Sequence, residues 1–367
     1  MAVLASVIAL LPGLFSYVQM LGQTSNSSLS IRSIEWLRSN GARALVNRIE
    51  TIYYSLTAPS TGGPALRALP HQAGVAVAAG GAAAKLKALR QAVVYLPPRV
   101  RPVIHPALPG EGVWHPTFVG GGSANPPVMI TSYRPEPLYP QLVAGLAWIN
   151  QSRTDIWLYP GMHQPSVVMP SRGPEEVPPA LRGRLVATFN SAFKLVDSGG
   201  GFAYDGHTYA PMVNGLSAIV RYSNGKLNII DWNGGPRVAS NVVYARQNLP
   251  LIIDNGRINP NLSDGPQWGA TLGNAIQVWR SGIGIDRHGN LIYAVANYQT
   301  VSSLAQILLH AGAVRAMQLD INAYWPSFIT YKRPGAVNPA NLLPDMTRSP
   351  YRYLTPDDRD FFAVYIK

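Results

Sequence analysis

Two carboxylates are set apart by position in a chain of 367 residues with only 18 acidic side chains. Asp254 closes the apolar run Leu251-Ile252-Ile253 and is followed by Asn255-Gly256. Asp320 closes the strand-like run Ala316-Met317-Gln318-Leu319 and is followed by Ile321-Asn322. Carboxylates at the carboxyl ends of buried strands lie where mixed sheets open their ligand crevices. A pair of them is also the minimum equipment for acid–base cleavage of a glycosidic bond. Each can instead cap a turn, because Asp-Asn and Asp-x-Asn are good turn formers. For Asp254, with Gly256 just beyond, both readings stay open. Asp320 has the stronger case for chemistry: Tyr324 and Trp325 trail it into a loop suited to a sugar site, and Asn322 joins it as a candidate substrate-binding residue.

Further candidates lie elsewhere in the chain. Asn190 and Ser191 end a third apolar run, Leu185 to Phe189, and Gly199-Gly200-Gly201 follows. Three glycines can bring backbone N–H groups to an anion, although a flexible turn is the plainer reading. Arg280 can pair bidentately with a phosphate. His207 and His163 are candidate acids or bases, and their spacing matches no zinc site. With no cysteine in the chain, disulfides, thiol nucleophiles and Cys-ligated metals are excluded. Neither a G-x-S-x-G elbow nor a Walker-type loop is present, which argues against an ordinary lipase or an NTPase. No cofactor and no metal site are expected.

The elements that must position these residues are legible in part. Leu216–Tyr222 and Lys226–Trp232 flank Ser223-Asn224-Gly225, a strong hairpin signal because Asn-Gly accepts the positive φ of a tight turn. Ser281–Asp286 and Asn290–Ala296 flank Arg287-His288-Gly289 as a second hairpin. A helix follows, with Val301, Leu304, Ala305, Leu308 and Leu309 on one face, Thr300 or Ser302 as N-cap and Gly312 as terminator. Val314 to Leu319 then reads as a buried strand leading into Asp320.

Upstream, residues 1–31 carry no charged side chain, and Ala2 to Leu21 is apolar over about the length that crosses a bilayer core. No basic n-region precedes it, so an uncleaved anchor is expected ahead of a signal peptide, with a buried N-terminal helix as the alternative. Residues 23–57 read as an amphipathic helical stalk, with Ser30 as a cap and Gly41 as an interruption. Residues 58–109 are a Pro-, Gly- and Ala-rich linker, and the main domain runs from 110 to 367. The composition is 47% hydrophobic and 13% charged, against roughly 25% charged in ordinary soluble domains. The net charge of +12 suits an anionic polymer, an anionic lipid or a nucleic acid. No recognition helix or stacking motif accompanies the scattered basic residues, so no nucleic-acid partner is expected.

Taken in order, four of these pieces resemble the phosphodiester glycosidase domain family: Asn190 to Phe193 after a strand, Leu251 to Gly256, Arg280-Ser-Gly-Ile-Gly-Ile285, and a Thr-initiated helix leading through Gly312-Ala313 to Leu319-Asp320. The resemblance covers roughly residues 185–330. It implies hydrolysis of a sugar-1-phosphodiester, on an α+β (mixed α/β) fold. We expect a mixed, largely antiparallel sheet with packed helices, preceded by the N-terminal transmembrane or anchor helix. It also implies Asn190, Arg280 and Asp320 as site-forming residues and Thr300 as the start of the family's helix. Asn322, Thr300, Asp254 and His207 are the candidate substrate-binding residues. The family's Asn-Gly-Gly-Phe-Phe is here Asn190-Ser191-Ala192-Phe193-Lys194, and its Leu-Asp-Gly-Gly-Gly-Ser is Leu319-Asp320-Ile321-Asn322-Ala323-Tyr324. Those changes add side chains where backbone would approach a substrate most closely. Three readings follow: an envelope hydrolase held at the cell membrane with its main domain outside the cytoplasm and an anionic sugar-phosphate or cell-wall glycan as substrate; a non-catalytic module binding anionic glycan or scaffolding partners; and another hydrolase built on His207 and Asp254.

Overall fold

A computed structural model describes residues 2–75, 95–117, 125–271, 275–333 and 335–367, the side chains of 2–10, 43 and 333 excepted. The main body is built from three sheets, and every strand pair among the described residues is antiparallel. An eight-stranded sheet runs in the order His115–Pro116, Val128–Tyr133, Ala144–Ile149, Leu291–Gln299, Val278–Asp286, Ala313–Ile321, Ile253–Asp254, Arg257–Ile258. A five-stranded sheet runs Val337–Asn341, Phe328–Arg333, Leu185–Asn190, Phe361–Ile366, Thr154–Tyr159. A second runs His207–Ala210, Phe202–Tyr204, Val242–Gln247, Ser217–Tyr222, Leu227–Asp231. One core cluster joins all three sheets through Ile283, Met317, Phe189, Phe362, Ile219 and Tyr244.

Five helices are described: α1 (Ala2–Gly22), α2 (Leu29–Ser39), α3 (Arg43–Thr57), the single turn α4 (Leu195–Ser198) and α5 (Val301–His310). Thr300 caps α5 in a capping box with Ser303, which satisfies two of the helix's orphan N–H donors. Val301, Leu304, Ala305 and Leu308 of α5 bury their apolar face on the outer side of the eight-stranded sheet. Gly282 makes that approach possible, since a Cβ there would lie 2.9 Å from Leu308 Cδ1 and 3.1 Å from the Met317 carbonyl. The hairpin–helix–strand order is therefore observed, with both strands of the second hairpin longer than expected and Asp320 inside the Ala313–Ile321 strand.

The N-terminal part differs in detail from expectation. The cap of α2 is Ser28, not Ser30: its side chain accepts from the Ile31 N–H. The α1–α2 pair is held by Trp36, whose indole N–H donates to Ser16 Oγ at 3.0 Å and whose ring meets Tyr17 edge-on. Arg32 of α2 donates to the carbonyls of Met20 and Gln23, tying the turn between them. Among the described residues no helix is long and apolar enough to cross a membrane. Of the expected linker, residues 76–94 lie outside the described residues. Residues 95–109 lie along the main body, with Val100 buried in the cluster beneath α5.

Candidate functional site

The carboxyl-terminal ends of two strands and the amino-terminal end of a third meet at Asp320. The Ala313–Ile321 strand carries it, and its N–H donates to the Ser191 carbonyl just beyond the Leu185–Asn190 strand. The Phe361–Ile366 strand pairs Phe361 with Asn190, so the residues just before it arrive at the same place. These are Asp357-Asp358-Arg359-Asp360. Arg359 Nη1 lies 3.4 Å from Asp320 Oδ2, and its guanidinium stacks 4.1 Å over the Trp325 ring. Arg246, fully buried, pairs with Asp360 at 2.8 Å and donates to the Phe193 carbonyl at 2.5 Å, fixing the 190–194 loop against this segment.

Asp320 is 7% exposed. Burial pushes its carboxyl up to about 6; Arg359, the Ile321 N–H and Lys194 hold it down, and Asp197 adds to the rise. Desolvation wins because the compensation is incomplete: one backbone N–H at 2.9 Å on Oδ1 and an ion pair on Oδ2. The carboxylate opens on a cavity of about 630 Å³ shared with Phe193, Asn322, Trp325, Arg359 and the wall Pro266–Thr271. Two polar atoms of the lining residues have no hydrogen-bond partner, Arg359 Nη1 and Asn322 Oδ1, and neither does Ser191 Oγ, whose residue meets the Asp320 N–H. Buried polar groups are nearly always bonded, so these atoms are open to a ligand's polar groups.

Asn190 and Arg280 are close by, with their polar atoms engaged inside the protein. Asn190 Oδ1 accepts from the Tyr293 hydroxyl (2.8 Å) and the Ser327 N–H (2.9 Å); its Nδ2 donates to the Ser191 carbonyl and to Ser281 Oγ. Ser281 in turn donates to the Asp320 carbonyl at 2.6 Å, so Asn190 fixes the backbone that carries the carboxylate. Arg280 donates to the carbonyls of Trp268, Gly269, Ile276 and Gln299 and to Gln318 Oε1. Burial lowers it to about 10, with Asp264 opposing the fall, so it stays charged at neutral pH. It braces the 268–271 wall of the cavity from behind. Gly269 in that wall has φ +92°, and a Cβ there would meet the Phe193 ring at 2.8 Å.

Asn322 stands where the family motif has glycine and takes the matching backbone, φ +74°, a conformation asparagine tolerates better than most residues. Trp325 lines the cavity, whereas the Tyr324 hydroxyl accepts from the Ser28 N–H and its ring lies under Arg348. The remaining candidates are not brought to Asp320. Thr300 is engaged as the α5 cap. His207 is exposed on an edge strand of another sheet, its Nδ1 against the Asp205 carbonyl at 2.8 Å. Asp254 precedes a two-residue turn in which Asn255 and Gly256 both have positive φ, the geometry of a type I′ hairpin. It sits beside Val314, at the opposite end of the strand from Asp320, about 20 Å away at ~3.3 Å per residue. The glycine run is a turn: the N–H groups of Gly200 and Gly201 donate to Ser198 Oγ and Gln247 Oε1.

Sequence reasoning missed Arg359, Lys194 as a charged neighbour, and Glu35. Lys194 Nζ lies 2.5 Å from Glu35 Oε2 on α2, and Glu35 Oε1 lies 3.9 Å from Arg359. His163 borders the same place, 3.6 Å from Asp358. Four consecutive charged residues, 357–360, before an apolar strand were a usable signal in so weakly charged a chain.

Residues 180–320 match the family model of the phosphodiester glycosidase, a stretch that ends on Asp320. Among solved structures, the chain is similar to the catalytic domain of zebrafish N-acetylglucosamine-1-phosphodiester alpha-N-acetylglucosaminidase, auto-inhibited by its pro-peptide. That likeness has a TM-score of 0.40 and 13% identity, and covers 68% of this chain and 86% of that one. A hypothetical protein from Synechocystis is similar at a TM-score of 0.33 and 14% identity, covering 62% of this chain and 59% of that one. At these scores neither likeness carries weight for the site. No curated protein sequence matches the chain.

Proposed function

We propose that the chain hydrolyses the glycosidic bond of a sugar-1-phosphodiester, with Asp320 as general base. The observation that carries this reading is the buried, high-pKa carboxylate opening on a cavity beside three unpartnered polar atoms. A phosphate monoester anion leaves without needing a proton, so a single carboxylate is enough: it takes the proton of the attacking water. The water oxygen bonds to the anomeric carbon, the carbon–oxygen bond to phosphate breaks, and the phosphate monoester departs. A carboxyl near 6 is ionised at neutral pH and close enough to it to be an effective base. Trp325 offers a ring for a sugar face, Asn322 a polar contact, and Arg359 a charge for the departing phosphate. Asn190 and Arg280 act as positioning residues.

The envelope setting belongs to the same proposal. Leu11, Leu14, Phe15, Val18 and Leu21 form an exposed apolar stripe on α1, as do Leu45, Ile49, Ile52 and Leu56 on α3. Such stripes suit burial in or on a membrane, and the net charge suits an anionic glycan substrate. One observation favours a binding-only module instead: Ile321 replaces a motif glycine and puts a side chain in the lining of the cleft. Hydrolysis of a UDP-linked sugar in ¹⁸O-water by the full chain separates the readings. The label is expected on the released sugar; label on phosphate, or no turnover, overturns the glycosidase assignment.

A further inference from the structure

We infer that Lys194 and Arg359 form an anion subsite for the phosphate oxygens of the ligand, held in this structure by the chain's own Glu35 carboxylate; the inference rests on the reading of the Asp320 cleft given above. Lys194 is the residue that replaces phenylalanine in the family motif, so this cation is a departure particular to the chain. It follows Phe193, whose carbonyl is clamped by Arg246, and it precedes the α4 turn, so its backbone is fixed. Arg359 is fixed as well: its N–H donates to Asp357 Oδ1 at 2.9 Å, and Asp357 is itself held by Arg352 and Arg348.

The two cations both face the Glu35 carboxylate. Glu35 stands between them, hydrogen-bonded to Lys194 but 3.9 Å from Arg359, too far for a hydrogen bond; Arg38 of its own helix lies 3.8 Å from the same oxygen. Arg359 is 8% exposed; its Nη2 faces Glu35, while its Nη1 lies 3.4 Å from Asp320 Oδ2 and makes no hydrogen bond. A buried guanidinium with an unused donor is costly to hold, and Glu35 as placed hydrogen-bonds only Lys194 of the cations around it. A phosphate has more oxygens, spread tetrahedrally, and guanidinium forks match that geometry. The space is present: Lys194, Glu35 and Arg359 line a cavity of about 320 Å³, and Arg359 also lines the larger cavity that holds Asp320. An anion seated on Arg359 therefore lies at the edge of the Asp320 cleft, with Trp325 between the two spaces. Asp358, Asp197 and Asp320 are the carboxylates facing this region, and Ser25 and Ser27 donate to Asp358.

Glu35 is then a stand-in ligand, and removing its charge must strengthen anion binding. The full chain is titrated calorimetrically with inorganic phosphate and, separately, with a sugar 1-phosphate. Glu35→Gln is expected to bind phosphate at least tenfold tighter than the wild type, and Glu35→Ala to do the same if the glutamine disturbs α2. Adding Lys194→Met to Glu35→Gln is expected to abolish the gain. The sugar 1-phosphate is expected to bind tighter than phosphate and to displace it, because its ring reaches toward Trp325 and Asp320. Phosphate affinity unchanged in both Glu35 variants, or undiminished by Lys194→Met, overturns the subsite. Equal affinity for the two ligands overturns its connection to the cleft. Asp320→Asn keeps the phosphate response; loss of turnover with that response intact leaves the two proposals separable.

Discussion

Asp320 carries a carboxylate that the fold has taken out of water and only partly compensated. Its folded-state pKa of about 6 lies above the ordinary aspartate value, so folded protein holds a proton that unfolded chain releases between those two pH values. Stability from this group is full below the unfolded pKa and falls as pH rises through about 6. The two-unit shift corresponds to about 3 kcal/mol. Asp320→Asn lacks that slope. Urea denaturation of wild type and variant at pH 4 and at pH 7.5 is expected to show their difference moving by about 2 kcal/mol in the variant's favour at the higher pH. Carboxylates held low by arginine partners, such as Asp357 and Glu111, lose their contribution on acidification in both proteins and cancel in the difference. A difference that does not change with pH contradicts the burial argument. The arginines divide by what their donors touch: Arg280 meets carbonyls on every side, whereas Arg359 keeps a donor unused.

At the scale of elements, the hairpin around Arg287-His288-Gly289, α5 and the strand that follows form one unit whose parts contact each other locally. Gly282 is its closest point. Gly282→Ala is expected to cost about 1–3 kcal/mol, because a methyl group must push into Leu304, Leu308 and the Met317 carbonyl. Thermal unfolding of the full chain measures it, and an unchanged midpoint refutes the close-packing account. This unit was legible in the sequence because period-2 and period-3.6 patterns, turn residues and caps are local signals. Asp320, Asn190 and Arg280 could therefore be placed in order at strand ends. Their partners could not. Arg359 reaches Asp320 because the Phe361–Ile366 strand lies between Leu185–Asn190 and Thr154–Tyr159, a long-range pairing with no local signature. Glu35 meets Lys194 across 159 residues of chain. Arg280's task was hidden for the same reason: whether a guanidinium meets a ligand or a ring of carbonyls depends on where the 268–276 segment folds back. For Asp254 the Asn-Gly dipeptide was the better guide, since it marks the turn that the backbone makes.

The whole molecule joins a three-sheet body to an N-terminal helical segment that touches the site. Ser25, Asn26 and Ser27 reach the Asp357–Asp358 pair, and Glu35 reaches Lys194 and Arg359. That segment reads from sequence as an amphipathic stalk with no part in the site; its contacts make it one wall of the cleft region. The cations gathered there fit the basic balance of the chain, which favours the approach of anionic substrates. All of this depends on Asp320 being the group that does the chemistry. The direct measurement is the pH profile of kcat/KM for the full chain on an aryl or UDP-linked sugar-1-phosphodiester, beside Asp320→Asn. The expected result is activity rising with pH through an acid limb near 6 and falling by about 10²–10⁴-fold in the variant. Turnover unchanged in Asp320→Asn, or lost instead with His207→Ala, contradicts it.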